Sequence, residues 1–553
     1  MNIFAATVLR KCFCIFLICL SFTLNAQTQD DRPQLVITLV VDQMRADYLT
    51  RYWEYFGEGG FKRLAQGGAN FKNTHYNFFP TYTAAGHSCI STGATPSVNG
   101  IVGNEWYNRK TKKIQYCTSD TSVKTIGSSS SAGLMSAASL LSTTLGDELR
   151  LATNFRSRVI GIALKDRAAI LSSGHNVTGA YWFDESTGHF ISSSYYCEQL
   201  PDWLDKFNAQ NKPAQYLSQK WTLSLPENSY RKTSTPDDVP YEGAFKGESA
   251  PVFPHDIPSI RSNYNYGLLR SIPGGNTITF ELARAAIEGE HLGKNDVPDL
   301  LTISFSTPDY IGHQFGPRSM EVADMYIKFD KELDAFLKYL DSRIGSGKYL
   351  IALSADHGAA DNPSFLTEKK FPGGFVPNTL KDTLNDYFQK LLNIRPCLAF
   401  ENQQVYLDHA LLTTKKIPYP RAIAISKEYL EKLPYVNIVY DKDQILQANA
   451  GTQSLSFLKN GYLPGRCGDV VVVFHPNYFE AGPRKTGTTH GSIYSYDTRV
   501  PLIFFGWKIR PASTFERTNV IDIAPTLAAI LDIQEPNGSQ GKILTTIINT
   551  SGN

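Results

Sequence analysis

Asp309 and His313 stand four residues apart in "DLLTISFSTPDYIGHQFG", and Asp356 and His357 are neighbours in "GKYLIALSADHGAAD". Asp42 closes "QLVITLVVDQMR", and His490 lies in "TTHGS", shortly before "RVPLIFFGWKI". Hard carboxylate oxygen combined with imidazole nitrogen is the donor set of zinc and its neighbours. Each residue alone has a plainer explanation, since an Asp at a strand end is often a helix cap and Asp-His-Gly is often a turn. Six such groups expected on one face of a sheet make a two-metal centre the better reading. Thr83 heads "TAAGH", a run of small residues that opens a helix. It either caps that helix or acts as a nucleophile: metal coordination brings a hydroxyl toward its alkoxide, and a helix N-terminus favours negative charge. His87, one turn further along, is expected to support it from behind. Lys165 and Arg167 would supply fixed positive charge, although Lys-Asp-Arg on its own reads as a solvated turn.

These residues need a scaffold that brings distant segments together. "QLVITLVVDQMR", "RVIGIALKDRAAI", "DLLTISFSTPD" and "GKYLIALSADH" are continuous β-branched runs, the pattern of strands buried on both faces of a parallel sheet. Helical patterns such as "MEVADMYIKFDKELDAFLKYLDSRI" fall between them. The expected fold is α/β, with a mostly parallel central sheet flanked by helices and polar residues at the strand C-termini, where such sheets bind ligands. Two stretches depart from the alternation. Residues 170–290, rich in Ser, Tyr, Pro and Asn, are expected to form an inserted surface region, and residues 362–485 an inserted cap subdomain. Ser128 to Ser131, the one low-complexity patch, reads as a mobile loop.

A chain of 553 residues exceeds one small domain, and a net charge of +2 gives no reason to expect nucleic acid or an anionic membrane as a specific partner. The N-terminus has Arg10 and Lys11, the apolar run Cys12 to Leu20, and then Leu24-Asn25-Ala26. That order predicts a signal peptide over residues 1–26, hence a secreted, periplasmic protein with no stable membrane anchor after cleavage. Three of the eight cysteines precede the cleavage point. Cys89, Cys117, Cys197, Cys397 and Cys467 remain, with no CxxC spacing, so they form no cysteine-rich zinc site, and two disulfides with one spare thiol are as compatible with the sequence as five small buried side chains.

The series Asp42, Thr83-Ala-Ala-Gly-His, Asn104, Lys165-Asp-Arg167, Asp309-Tyr-Ile-Gly-His313, Asp356-His357-Gly and Thr-His490-Gly, closing with "IDIAPTLAAIL", resembles the alkaline phosphatase superfamily. More narrowly it is similar to the secreted phosphate-irrepressible alkaline phosphatases, monoesterases with a Thr nucleophile, over residues 33–535. The resemblance implies two Zn²⁺ per chain. Asp309, His313 and His490 would hold one, and Asp42, Asp356 and His357 the other, which Thr83 also contacts. It places Asn104, Lys165 and Arg167 on the phosphoryl oxygens. The implied reaction is hydrolysis of small-molecule phosphate monoesters to alcohol and inorganic phosphate through a phosphothreonine.

A nucleotide pyrophosphatase or phosphodiesterase of the same superfamily would share the metal ligands, the Thr and an Asn. A monoester, however, brings a dianion, and Lys165 with Arg167 matches the extra charge. A sulfatase would need a Cys or Ser-x-Pro-x-Arg signature, absent around Thr83, and a cytosolic phosphoglycerate mutase fits poorly with an export signal. A secreted zinc- or phosphate-binding scaffold without turnover is the alternative from another class; the complete set of expected catalytic groups argues against it. The natural substrate, monomer or oligomer state, and metal in the cell are not written in the sequence.

Overall fold

The continuous apolar runs become strands buried along their whole length. In the computed structural model, which describes residues 32–448, 452–480 and 485–547, β1 (Leu35–Val41) is buried at every position. The expected leader at residues 1–26 lies outside the described residues. β1 pairs in parallel with β6 (Asp299–Phe305) on one side and β7 (Tyr349–Ser354) on the other. β6 continues in parallel to β3 (Val159–Ala163), and β3 to β4 (Gly179–Asp184). These five parallel strands are the heart of an 11-stranded sheet. Beyond β7 the order runs through antiparallel β13 (Arg499–Gly506) to β2 (Ala69–His75) and β14 (Ala512–Thr514). Past β4 it turns back through β5 (His189–Ser193). Helices α1 (Thr83–Thr92) and α2 (Asp166–Ser173) pack against each other, while α3 (Gly274–Gly289) packs on β6 and on α5 (Met320–Leu340). Because β1, β3, β6 and β7 run in one direction, their C-terminal ends open on one edge, and Asp42, Lys165, Asp309 and Asp356 follow from there.

The stretch 170–290 differs from the expected surface region. β4 and β5 belong to the main sheet, and α3 belongs to its helical layer. The misreading has a physical cause: "GAYWFD" forms a fully buried strand from aromatic rather than β-branched residues. Between β5 and α3 the chain does run through short helices and turns. Ser128 and Ser130 are held in place, both donating to Asp184 Oδ2, at 2.6 and 2.8 Å. The five cysteines are all free thiols, and four are buried.

Within 362–485, β8 (Cys397–Glu401), β9 (Gln404–Leu407), β10 (Val436–Asp441) and β11 (Val470–Phe474) form a separate sheet in the order β8-β9-β11-β10. Helices α6 (Leu380–Leu392) and α7 (Tyr419–Leu430) cover it, and Leu384, Phe388, Leu430 and Val472 form its own apolar core. A short strand, β12 (Tyr478–Glu480), leads the chain back toward His490.

Candidate active site

Each site residue is delivered by the end of a core element. Asp42 is the residue after β1, and Gln43 behind it has a left-handed backbone, φ 63°, which turns the chain sharply at the sheet edge. Asp309 and His313 lie one helical turn apart on α4 (Thr307–Phe315), which starts just beyond β6. Asp356 and His357 follow β7, and His490 arrives on the loop ahead of β13. Thr83 is the first residue of α1. Two glycines permit the approach: a Cβ on Gly86 would lie 2.2 Å from Asp356 O, and one on Gly312 would overlap the Gln43 side chain.

The expected ligands converge. Donor atoms of Asp42, Asp356 and His357 lie within 4.8 Å of one another, and so do those of Asp309, His357 and His490. His357 thus belongs to both groups and stacks on His490 with ring centroids 3.4 Å apart. His313, which the sequence reading placed in a trio with Asp309 and His490, stands outside the second group but brings Nε2 to 3.0 Å from Asp309 Oδ1.

The residues fit metal ions on independent grounds. His313 Nδ1 is 2.7 Å from Thr488 O, His357 Nδ1 2.9 Å from Gly358 O, and His490 Nδ1 2.8 Å from Thr81 O. A carbonyl oxygen only accepts, so each Nδ1 carries the proton, which leaves Nε2 as the atom that a metal ion would take; such outer hydrogen bonds are how proteins orient metal-binding imidazoles. Burial holds His357 down at about 3, and burial with the neighbouring His357 holds His490 well below its usual range, so both rings stay neutral. Asp42 Oδ1 and Asp356 Oδ2 are buried without a hydrogen-bond partner. Burial and the adjacent Asp42 push Asp356 well above the carboxylate range, as expected for two acids that need a cation between them.

Thr83 Oγ1 lies 3.3 Å from His357 Nε2, beside both groups. Beneath it His87 bonds Thr83 O at 2.8 Å and Ser304 Oγ at 2.8 Å, and burial keeps its pKa down near 4, so it acts as a neutral prop. Asn104 Oδ1 accepts from the Ala84 N–H at 2.9 Å, which fixes the amide with its nitrogen turned away from that bond. Lys165, 3% exposed, places Nζ 2.6 Å from Asp42 Oδ2 and 2.5 Å from Asp309 Oδ2. Burial alone would lower its pKa, but Asp309 and Asp42 raise it, so the ammonium persists. Arg167 donates Nη1 to Tyr116 Oη at 3.1 Å, and its buried Nε has no partner. Asp42, Asp309, Asp356, His357 and His490 thus come together, with Thr83 and Lys165 in contact with them. Gln43 was missed: its Nε2 donates to Asp309 Oδ1 at 2.6 Å and its N–H to Asp356 Oδ1 at 3.0 Å, linking the two groups. Position immediately after Asp42 was the one signal available.

A sheet edge carrying paired carboxylate-imidazole groups around a hydroxyl at a helix start defines the metal-dependent hydrolases of the alkaline phosphatase superfamily. Residues 36–493 match the type I phosphodiesterase / nucleotide pyrophosphatase family, and the chain belongs to it. Among curated relatives, it is 42% identical over 519 residues to alkaline phosphatase PafA of Elizabethkingia meningoseptica, covering 94% of this chain and 95% of that one. It is 43% identical to alkaline phosphatase PhoV of Synechococcus elongatus, covering 94% and 93%. It is 41% identical to a Myroides odoratus protein named calcium-transporting ATPase, covering 97% and 98%. The solved structure of wild-type PafA superposes with a TM-score of 0.91, covering 94% of this chain and 99% of that one at 42% identity. A second PafA structure, with a TM-score of 0.90, carries substitutions of one threonine, one asparagine, one lysine and one arginine. No helix among the described residues is long and apolar enough to cross a membrane.

Proposed function

We propose that the protein is an exported, periplasmic alkaline phosphatase that hydrolyses phosphate monoesters through a phosphothreonine on Thr83. The observation that carries the reading is the placement of Thr83 Oγ1 at the start of α1, 3.3 Å from the imidazole common to both donor groups. Asp309, His313 and His490 would hold one zinc, and Asp42, Asp356 and His357 the other, with Thr83 Oγ as a further ligand. When bound, two such ions lower the hydroxyl's pKa and stabilise the entering and leaving oxygens of an in-line displacement.

The chain's own groups do the rest. Thr83 Oγ forms a bond to phosphorus as the ester P–O bond breaks and the alcohol leaves; water then cleaves the phosphothreonine, returning Thr83 and inorganic phosphate. The α1 N-terminus faces the anion. The Asn104 amide nitrogen, Lys165 and Arg167 bind the non-bridging oxygens, where phosphoryl transfer depends chiefly on positioning and charge. With Thr83, these three residues match in type the four replaced in the substituted PafA structure. Lys165 and Arg167 favour the monoester, because its extra negative charge needs two cations beside the metals. The region 362–485 is the cap over the site.

The test is kcat/KM for an aryl phosphate monoester and the matching diester on zinc-loaded protein, with Thr83→Ala as control. A large monoester preference that vanishes in Thr83→Ala, with metal content unchanged, supports the proposal. A diester preference would assign the protein to the phosphodiesterases, which the family name favours. Bound zinc without turnover of either ester would leave a binding scaffold.

A further inference from the structure

Beside the metal centre lies a cavity of about 110 Å³ that the proposed chemistry does not use. His490 forms one wall, so the cavity adjoins the metal centre. Tyr82, the residue before Thr83, forms the adjoining wall with its ring edge-on to His490 at 5.6 Å. The opposite side comes from the 362–485 sheet and its return strand: Phe474, Tyr478 and Glu480, with Tyr494 beyond them. The rings are fixed. Tyr494 Oη donates to Phe474 O at 2.8 Å and accepts from Asn437 Nδ2 at 3.1 Å, and Tyr496 Oη accepts from the Asn477 N–H at 3.0 Å.

The charge of this lining has one sign. Glu480 and Asp497 both face the cavity, and among the described residues no lysine or arginine lines it. Asp497 is 1% exposed, and its Oδ1 has no hydrogen-bond partner. Burial pushes Asp497 up to about 7, although its Oδ2 accepts from the Ser492 N–H at 2.8 Å and Arg45 attracts it, and Glu480 is the exposed acid of the lining. Aromatic faces with nearby carboxylates are the recognition chemistry of ammonium and quaternary ammonium groups. An anionic leaving group would meet repulsion here, and an aliphatic one would leave the buried carboxylate unmatched.

We infer that this cavity receives the alcohol moiety of the substrate and selects phosphomonoesters whose alcohol carries an ammonium group, of the phosphocholine type. The assignment rests on the monoesterase reading for its substrate and on the cavity's own lining for its selectivity.

The experiment compares kcat/KM for phosphocholine with that for 3,3-dimethylbutyl phosphate, its neutral isostere, on the metal-loaded protein, with an aryl phosphate as reference. The expected result is an advantage of about tenfold for phosphocholine. In Glu480→Gln and in Tyr494→Leu the ratio of kcat/KM for phosphocholine to that for 3,3-dimethylbutyl phosphate should fall to about one. Calorimetric titration with choline alone, at fixed ionic strength, should show binding that weakens in the same variants. Equal rates for the two alkyl esters, or an advantage that survives both substitutions, would overturn the assignment. If no ester is turned over but choline binds and loses affinity in Glu480→Gln, the cavity assignment stands and the phosphatase reading fails.

Discussion

Gly86→Ala asks whether the close approach of α1 to the Asp356 loop is what builds the site. On helix propensity alone the change should help, since Ala is favoured over Gly inside a helix by about 1 kcal/mol. The local geometry reverses the sign. The new Cβ would lie 2.2 Å from Asp356 O, 2.8 Å from its carbonyl carbon and 2.8 Å from its Cβ. Those atoms are backbone and the root of a buried side chain, so no flexible tip can swing aside. Reaching ordinary contact requires helix and loop to part by about 1 Å, and overpacking of this kind costs roughly 1–3 kcal/mol. The net expectation is a loss of about 0–2 kcal/mol of stability. The same displacement moves Asp356 away from Asp42 and His357, and a misplacement of about 1 Å at such a centre costs on the order of 10²-fold in rate. Urea denaturation with metal in excess, together with kcat/KM, measures both effects. A variant at least as stable as wild type with full kcat/KM would show that α1 and the Asp356 loop are not in the contact described and would refute the reasoning.

Three further outcomes are expected. Gln43→Ala removes the 2.6 Å hydrogen bond to Asp309 while leaving the backbone bond to Asp356; loss of such an outer contact should lower metal affinity or activity about 10- to 100-fold, read by competition with a chromophoric chelator. Chelation should destabilise the fold as well as abolish turnover, by about 4 kcal/mol relative to protein at a thousandfold excess of free metal over Kd, because Asp42 and Asp356 are left adjacent and buried; an unchanged melting temperature would count against the metal centre. His255 is fully buried between Glu248 and Glu321; burial lowers its pKa, but the two glutamates raise it to about 9. A folded pKa above the ordinary 6.5 gives stability that is complete below about 6.5 and lost as pH rises through about 9, a contribution of about 3 kcal/mol. His255→Gln should therefore melt lower at pH 6 and show a flatter decline toward pH 10, and parallel curves for the two proteins would contradict the assignment.

The donor residues were legible because parallel strands announce themselves twice, as uninterrupted apolar runs and as polar residues at a shared end. Asp42, Asp309 and Asp356 each follow such a run, and the register that sets β1 between β6 and β7 makes them neighbours. What stayed hidden depends on contacts between distant segments. Gln43 reaches Asp309 across 266 positions, and nothing near either residue marks the pair. The serines at 128 and 130 look unrestrained until Asp184 is brought beside them. The buried strand "GAYWFD" escaped because aromatic residues also populate surface loops, so its composition did not separate the two. Likewise, the family resemblance divides three histidines between two ions, whereas the folded chain places His357 within reach of both groups and His313 at the margin of one.

The family's name points to diesters and pyrophosphates, while two relatives above 40% identity, PafA and PhoV, are named alkaline phosphatases. The two are compatible, because the sheet edge, the carboxylate-imidazole groups and the hydroxyl at a helix start suffice for attack on phosphorus and do not depend on how many esters the phosphorus carries. Selectivity must then come from groups that meet the non-bridging oxygens and the leaving alcohol. Here the first are Lys165, buried between Asp42 and Asp309, and Arg167 beside Tyr116. The second is the cavity behind His490, walled partly by the 362–485 sheet. In the proposed site, positive charge meets the phosphoryl group and the acids of the cavity meet the alcohol. That polarity fits a substrate that is itself dipolar, dianionic at phosphorus and cationic at its far end, better than it fits a nucleotide, whose second phosphate would bring negative charge toward Glu480 and Asp497.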